Sequence, residues 1–401
     1  MSSDEGSKGF ISFLRTYSIP LIAGVILALI WANVAGEGPY HAVIDQPLFD
    51  FNLFGRGFPV TPHWLVNDIF MVFFFGVAAK EISDAMRPGG ALNPPSKALN
   101  PILGTLGGLF GPIAVYFLLS YALGGDEAQA ISRGFGIPAA TDIAIAWLVA
   151  RVVFGASHPA VNFLLLLAIV DDGIGLMIIA IFYPDPELPV QPIWLLLTLA
   201  GVLITVLMAR AKVNKWWVYI LVGGVISWLG LLRAGLHPSL ALVFIIPFMP
   251  AVFGGAREGE PGNPSDDYHP AVGLPVDFGL LFCGLFNAGV AVGSMGAATW
   301  VVLFALLIGK PLGISLFSIA GNAVGLKYPT GMGARHVVTV GFIAAIGLTV
   351  ALFVAGQAFT GENAHIQPAA KLGALLSVIA APVAYVVGKA LKVRELEPES
   401  K

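Results

Sequence analysis

The chain has 401 residues, 57% of them hydrophobic and 11% charged, with a formal net charge of −3 and a mean hydropathy of +0.84. An ordinary soluble domain carries about 25% charged residues, so this composition excludes a large soluble enzyme, whose helices would need polar faces that are missing here. Cys283 is the single cysteine, which rules out an intrachain disulfide and suggests no redox chemistry, and no nucleic-acid partner is expected.

The N-terminal MSSDEGSKGF is polar with mixed charges, and no small-residue cleavage site follows the first apolar run, so that run reads as a retained helix. Apolar runs long enough to cross about 30 Å of hydrocarbon then recur along the whole chain. They predict an all-α polytopic membrane protein of about twelve spans. In chain order these are Tyr17–Ala35, Trp64–Ala85, Pro101–Leu123, Gly134–Phe154, Ala160–Tyr183 and Pro192–Ala209. The second six are Trp216–Leu232, Leu236–Phe253, Pro275–Val292, Ala298–Ala320, His336–Phe359 and Ala369–Leu391. With both termini cytoplasmic, sixteen of the 21 Lys and Arg residues fall on the inner side and four on the outer, with Lys310 inside a span. Cytoplasmic loops carry the Lys/Arg excess, so an even number of spans is expected. The Gly-, Pro- and Asp-rich loop from Arg257 to Pro270 is the longest on the inner side. On the outer side, Phe49 to Phe54 alternates in polarity, Gly55-Arg56-Gly57 reads as a turn, and Phe58-Pro59-Val60 resumes. This is either a small extracytoplasmic β-hairpin or an irregular loop.

Few charges remain within the spans. A charge at the bilayer centre costs roughly 2.5–3.5 kcal/mol even on the forgiving insertion scale, so each one left there is a candidate functional group. Asp142, Asp171, Asp172 and Lys310 form the core set. Three acids face one base, so mutual pairing does not silence them all. Asp68, nearer the centre of the second span than its flank, and Asp277, near the start of the ninth, read better as structural ion pairs. Pro138, several residues into the fourth span, removes a backbone hydrogen bond. A break there would leave a half-helix N-terminus beside Thr141 and Asp142; the alternative is a simple kink. The eleventh span is interrupted by Gly341 and Gly347-Leu348-Thr349, and interrupted spans at matching places in two halves point to a transport site. Asp171 and Asp172 lie about 100° apart around a helix, followed by Gly173 and Gly175, which allow close approach of another helix. Desolvation and mutual repulsion both oppose ionising the two together, whereas a hard cation favours the charged form. Proton and cation then compete for one set of oxygens. Lys310 would neutralise an aspartate, compensate half-helix C-terminal dipoles, or release its proton during turnover.

At these residues the chain resembles the NhaA-type sodium/proton antiporters. The matching segments are Ile137-Pro138-Ala139-Ala140-Thr141-Asp142-Ile143-Ala144, Ala168-Ile169-Val170-Asp171-Asp172, Asn287-Ala288-Gly289-Val290, Gly309-Lys310-Pro311-Leu312-Gly313-Ile314 and Ile346-Gly347-Leu348-Thr349. They occur in family order, and the likeness extends from about Ala23 to Val386. The resemblance implies one transmembrane domain over residues 1–401. Within it, residues 98–183 and 298–392 would be inverted core repeats, with broken helices 4 and 11 crossing near the midplane. Residues 17–85 and 236–292 would supply interface and dimerisation helices, and 192–232 linking helices. It further implies Asp172 as principal Na⁺ or Li⁺ ligand, Asp171 as its partner paired with Lys310 in one state, and Thr141 assisting. Asp142 would offset the facing helix N-termini. The implied activity is electrogenic exchange of cytoplasmic Na⁺ or Li⁺ for external protons. It would proceed without a cofactor, by a bacterial inner-membrane homodimer joined through residues 49–60. Better-known members carry two glutamates near the cytoplasmic end of the second helix, where this chain has Lys80 and Asp84, a charge reversal that argues against family-type pH regulation. His237 matches a position tied to pH response and is read here as structural.

Three other classes fit less well. An intramembrane aspartyl hydrolase would need Gly-x-Gly-Asp, whereas the order here is Asp171-Asp172-Gly173-Ile174-Gly175, and Lys310 would have no role. A sodium-coupled organic-anion symporter would need a further charged residue to hold its anion. A channel would need a repeated filter or a ring of like charge.

Overall fold

A backbone in hydrocarbon has no water to bond, so it must satisfy its polar groups within helices. The computed structural model describes Leu14 and residues 18–53, 56–93, 95–184, 190–251 and 263–396. Its helices in chain order are α1 (Ile19–Val34), α2 (Glu37–Ile44), α3 (Met71–Met86), α4 (Pro95–Leu123), α5 (Gly125–Ser132), α6 (Ile143–Phe154) and α7 (Pro159–Phe182). They continue with α8 (Leu195–Arg210), α9 (Val225–Ala234), α10 (Pro264–Asn287), α11 (Ala297–Phe304), α12 (Lys310–Ala323), α13 (Ala334–Ala344), α14 (Thr349–Ala358), α15 (Gln367–Leu376) and α16 (Ala380–Ala390). Among the described residues, eight helices are long and apolar enough to cross a membrane. The α13–α14 pair, bent by 53°, makes a ninth span, and Ile19–Val34 and Pro238–Phe248 are shorter apolar helices. With α3 and the π-helix Leu65–Phe70 before it, each of the twelve expected runs overlaps helical structure among the described residues.

Three expectations are corrected. The eighth run is not α-helical but two 3-10 segments, Pro238–Val243 and Ile246–Phe248, each with a proline in its first turn, where the missing N–H costs least. The ninth begins at Pro264 rather than Pro275, following Asn263, so part of the expected loop from Arg257 to Pro270 is helix; residues 257–262 lie outside the described residues. The hairpin exists, with β1 (Phe49–Leu53) antiparallel to β2 (Arg56–Val60) and Phe49 opposite Val60. Arg56 and Gly57 belong to the second strand, not to the turn, and residues 54–55 lie outside the described residues, as does the polar N-terminal segment.

The chain divides into two compact units. The first comprises residues 1–19, 91–175 and 292–401. Its central packing joins α4 to the α11–α12 span through small residues on both sides. A Cβ on Gly313 would lie 1.9 Å from the Gly107 carbonyl oxygen, and one on Gly111 would lie 2.3 Å from that of Gly309. Gly107 and Gly111 face Gly309 and Gly313 at matching four-residue spacing, which lets the backbones meet. In the first turn of α12, Pro311 cannot donate a backbone hydrogen bond, and the preceding turn, Ala305–Gly309, widens to a π-helix. After α16 the chain crosses the ends of α6 and α13. Arg394 donates to the Val152 and Val153 carbonyls at 2.7 and 3.2 Å, and the Glu395 carbonyl accepts from Arg335 at 2.9 Å and from His336 Nε2 at 3.1 Å. Val393, 1% exposed, joins the core there with Val153, Val337 and Ala384.

The second unit comprises residues 20–90 and 176–291. Here α1 and α10 approach through Gly24 and Gly284, where a Cβ on either glycine would lie within 3 Å of the facing helix's backbone. The Tyr40 hydroxyl donates to the Leu285 carbonyl at 2.7 Å. His237 Nδ1 accepts from the Ser239 hydroxyl at 2.7 Å and from its N–H at 3.4 Å, capping the first 3-10 segment.

Candidate functional site

Pro138 does break the fourth span. Ile137–Ala139 forms one 3-10 turn, Ala140 leaves it in extended conformation, and helix resumes at Ile143. The eleventh span breaks in the same manner over Ala345–Leu348, between α13 and α14. The two interruptions bond directly to each other: the Asp142 N–H donates to the Ile346 carbonyl at 2.8 Å, and the Thr141 hydroxyl to the Ala344 carbonyl at 3.0 Å. Backbone groups freed by one break thus serve those freed by the other.

Asp142 caps both half-helices whose N-termini meet here. Its Oδ1 accepts from the Ile145 N–H at 3.1 Å. Its Oδ2 accepts from the Thr349 N–H at 3.2 Å and the Thr349 hydroxyl at 2.9 Å. A carboxylate at a helix N-terminus satisfies unpaired donors and opposes the positive end of the dipole, and this one does so for α6 and α14 together. That geometry explains how an acid 4% exposed is accommodated.

Lys310 is fully buried and donates to Asp171 Oδ2 at 2.8 Å and to the Ala139 carbonyl at 2.8 Å. It therefore joins two of the roles open from the sequence, neutralising an aspartate and compensating the end of the 3-10 turn. On the facing side of α4, a Cβ on Gly108 would press on Ile314 at 3.0 Å and meet Lys310 Cε only at an ordinary 3.9 Å. Asp171 Oδ2 also accepts from the Thr141 hydroxyl at 2.9 Å. Asp171 Oδ1 is buried and accepts no hydrogen bond among the described residues. Buried acceptors are nearly always satisfied, so this bare oxygen stands out. Asp172, one residue on, is half-buried where Asp171 is 1% exposed.

The structure thus gathers Asp142, Asp171, Asp172, Lys310 and Thr141 in the first unit. Asp68 and Asp277 belong to the second. Gly175 is less critical than the sequence suggested, since a Cβ there would sit 3.7 Å from the Ala140 Cβ, an ordinary contact. Lys80 is 4% exposed and pairs with Asp84 one turn on and with Asp266 at 3.3 Å, while Arg87 reaches Asp84 at 2.9 Å. The charge-altered positions of the second span therefore form an ion-pair network. Sequence reasoning misses Thr349 as a site residue; its signal is a hydroxyl directly after a glycine break. It misses Gly107 and Gly111 too, although their spacing repeats that of Gly309 and Gly313.

The sequence matches a family model described as Na⁺/H⁺ antiporter 1 over residues 9–388. It is 51% identical to the Na(+)/H(+) antiporter NhaA of Geobacter sulfurreducens, across 96% of this chain and 99% of that protein. It is 50% identical to the one of Desulfitobacterium hafniense, across 97% and 98%. Among solved structures, the sodium proton antiporter MjNhaP1 from Methanocaldococcus jannaschii at pH 8 superposes with a TM-score of 0.53 at 14% identity, across 96% of this chain and 99% of that one, a likeness of fold. With that family model over nearly the whole chain and relatives about 50% identical along almost their full length, the chain belongs to the Na⁺/H⁺ antiporter 1 family.

Proposed function

We propose that the protein is an electrogenic secondary antiporter that exchanges cytoplasmic Na⁺ or Li⁺ for external protons by alternating access, serving Na⁺ and pH homeostasis. The observation that carries this reading is Asp171, a buried carboxylate with one oxygen held by Lys310 and Thr141 and the other without a donor among the described residues. Asp172, the more accessible acid, is the principal ligand. Asp171 and the Thr141 hydroxyl complete the cation's oxygen shell, and hard monovalent cations prefer oxygen ligands. Protonation of the carboxylates releases the cation. Two carboxylates hold more than one proton against a single monovalent ion, so the exchange moves net charge. Asp142 and Lys310 stay as charge compensation for the exposed helix ends, and no cofactor takes part.

The same reading places the protein in the bacterial inner membrane with both termini cytoplasmic. Residues 98–183 and 298–392 act as inverted core repeats, 17–85 and 236–292 as interface helices, and 192–232 as linking helices. It also makes the protein a homodimer through residues 49–60, where Phe49 and Phe51 are 57% and 42% exposed on one face of the hairpin.

Inverted vesicles carrying a preformed proton gradient and a pH-sensitive dye test the activity. Added Na⁺ or Li⁺ dissipates the gradient, and Asp172→Asn abolishes the response. No cation-dependent proton movement anywhere between about pH 6 and 9 would sink the proposal.

A further inference from the structure

The last span carries a buried hydroxyl that bonds to the interruption in the eleventh. Ser377 is fully buried and sits where α15 gives way to the 3-10 turn Ser377–Ile379. Its Oγ accepts from the Gly347 N–H at 3.1 Å. Its single proton faces two carbonyls, that of Gly347 at 3.1 Å and that of Ala374 at 2.6 Å. Gly347 lies in the non-helical linker Ala345–Leu348, whose position is already tight: a Cβ on Gly347 would stand 3.3 Å from the Ala140 carbonyl oxygen. Its neighbour Ile346 receives the Asp142 N–H, and Ala344, at the linker's edge, receives the Thr141 hydroxyl.

Thr141 likewise has one proton and two acceptors, Asp171 Oδ2 at 2.9 Å and the Ala344 carbonyl at 3.0 Å. A cation bound to Thr141 Oγ1 and Asp171 repels that proton from the shared oxygens. The proton must then go to Ala344. Cation affinity therefore depends on where the linker holds the Ala344 carbonyl.

We propose that Ser377 is a positioning residue for cation binding: by gripping the Gly347 peptide it sets the Ala344 and Ile346 carbonyls that hold Thr141 and Asp142. This rests on the reading of Asp171, Asp172 and Thr141 as the cation's ligands. Ser377 itself does not touch the ion.

The test is Na⁺ titration of Ser377→Ala, Ser377→Cys and Ser377→Thr, each purified, checked for a single size-exclusion peak and reconstituted in proteoliposomes. Ser377→Ala raises the KM for Na⁺ about five- to tenfold, the equivalent of one lost net hydrogen bond, while the maximal rate stays within about twofold. Ser377→Cys keeps the shape of the side chain with a slightly larger atom, weakens its hydrogen bonds and shifts KM in the same direction, covering the case in which the alanine variant folds poorly. Ser377→Thr keeps the hydroxyl and leaves KM within about twofold of the parent. A folded Ser377→Ala or Ser377→Cys with unchanged KM overturns the proposal. So does a loss confined to maximal rate, or an equal KM shift in all three variants, which would mark a packing effect. Failure of the underlying site is read separately, as exchange that survives Asp172→Asn.

Discussion

The Lys310–Asp171 pair makes the sharpest demand on stability. Both side chains are withdrawn from solvent, and Lys310 Nζ spans 2.8 Å to Asp171 Oδ2 and 2.8 Å to the Ala139 carbonyl. Lys310→Met keeps the volume of the side chain and removes the charge. Asp171 is then left buried with Thr141 as its donor. Breaking a buried pair from one side costs about 3–5 kcal/mol, because the surviving charge has lost its compensation. Unfolding entropy near about 2.1 cal/mol/K per residue over 401 residues is roughly 0.8 kcal/mol/K. The single variant should therefore melt about 4–6 °C lower. In Lys310→Met with Asp171→Asn both charges are gone, and the Asn oxygen still accepts from Thr141. The buried charge is no longer a cost, so most of the loss returns and melting lies within about 2 °C of the parent. The assay heats purified protein in detergent at pH 7 and measures the monodisperse fraction by size exclusion. A double variant that melts as low as the single one refutes the reasoning, since the damage would then come from packing and not from an orphaned charge.

Two further outcomes follow from the packing and the loops. Gly313→Leu drives a side chain into the Gly107 carbonyl, where even a Cβ would stand 1.9 Å away, so destabilisation exceeds about 3 kcal/mol and little folded protein is recovered. Gly175→Ala, with 3.7 Å to its nearest neighbour, leaves yield and melting unchanged, and equal yields from the two variants would contradict the account. His158 lies in the short connection between α6 and α7. Burial, then the nearby charges of His336 and Arg335, hold its imidazole down to about 4. Between pH 6.5 and 4 the unfolded chain binds this proton and the folded chain does not, so stability present above 6.5 is lost as pH falls through that window. His158→Gln removes this contribution. Melting measured from about pH 7 to about pH 4.5 should slope less steeply in the variant, and identical slopes would refute it.

The polar members of the site are legible in the sequence because the bilayer makes them anomalous. Asp142, Asp171, Asp172 and Lys310 stand in apolar runs where an unpaired charge is costly, and Pro138 and Gly347 announce the breaks beside them. The hairpin's alternation is legible too, but its turn is not, because Gly55-Arg56-Gly57 looks like a turn whichever way the register runs. The eighth span reads as an ordinary apolar helix. Hydropathy does not tell a 3-10 segment from an α-helix, and Pro238 and Pro247 leave only a weak signal of the difference.

Composition and spacing alone therefore determined that this chain spans a membrane, roughly how many times, and which charges it carries there. Burial cost is a property of each residue, whatever it meets. The resemblance already implied the Asp171–Lys310 pair and a place for Asp142 at the helix ends, but the individual donors and acceptors were decided only by the tertiary structure. That Lys310 serves Asp171 and Ala139 together, that Asp142 caps two half-helices far apart in sequence, and that Ser377 bonds the Gly347 peptide follow from how the two broken spans and their neighbours pack together. Hydrogen bonds are short and directional, so no pattern along one chain states which donor will stand within about 3 Å of which acceptor until the helices have packed.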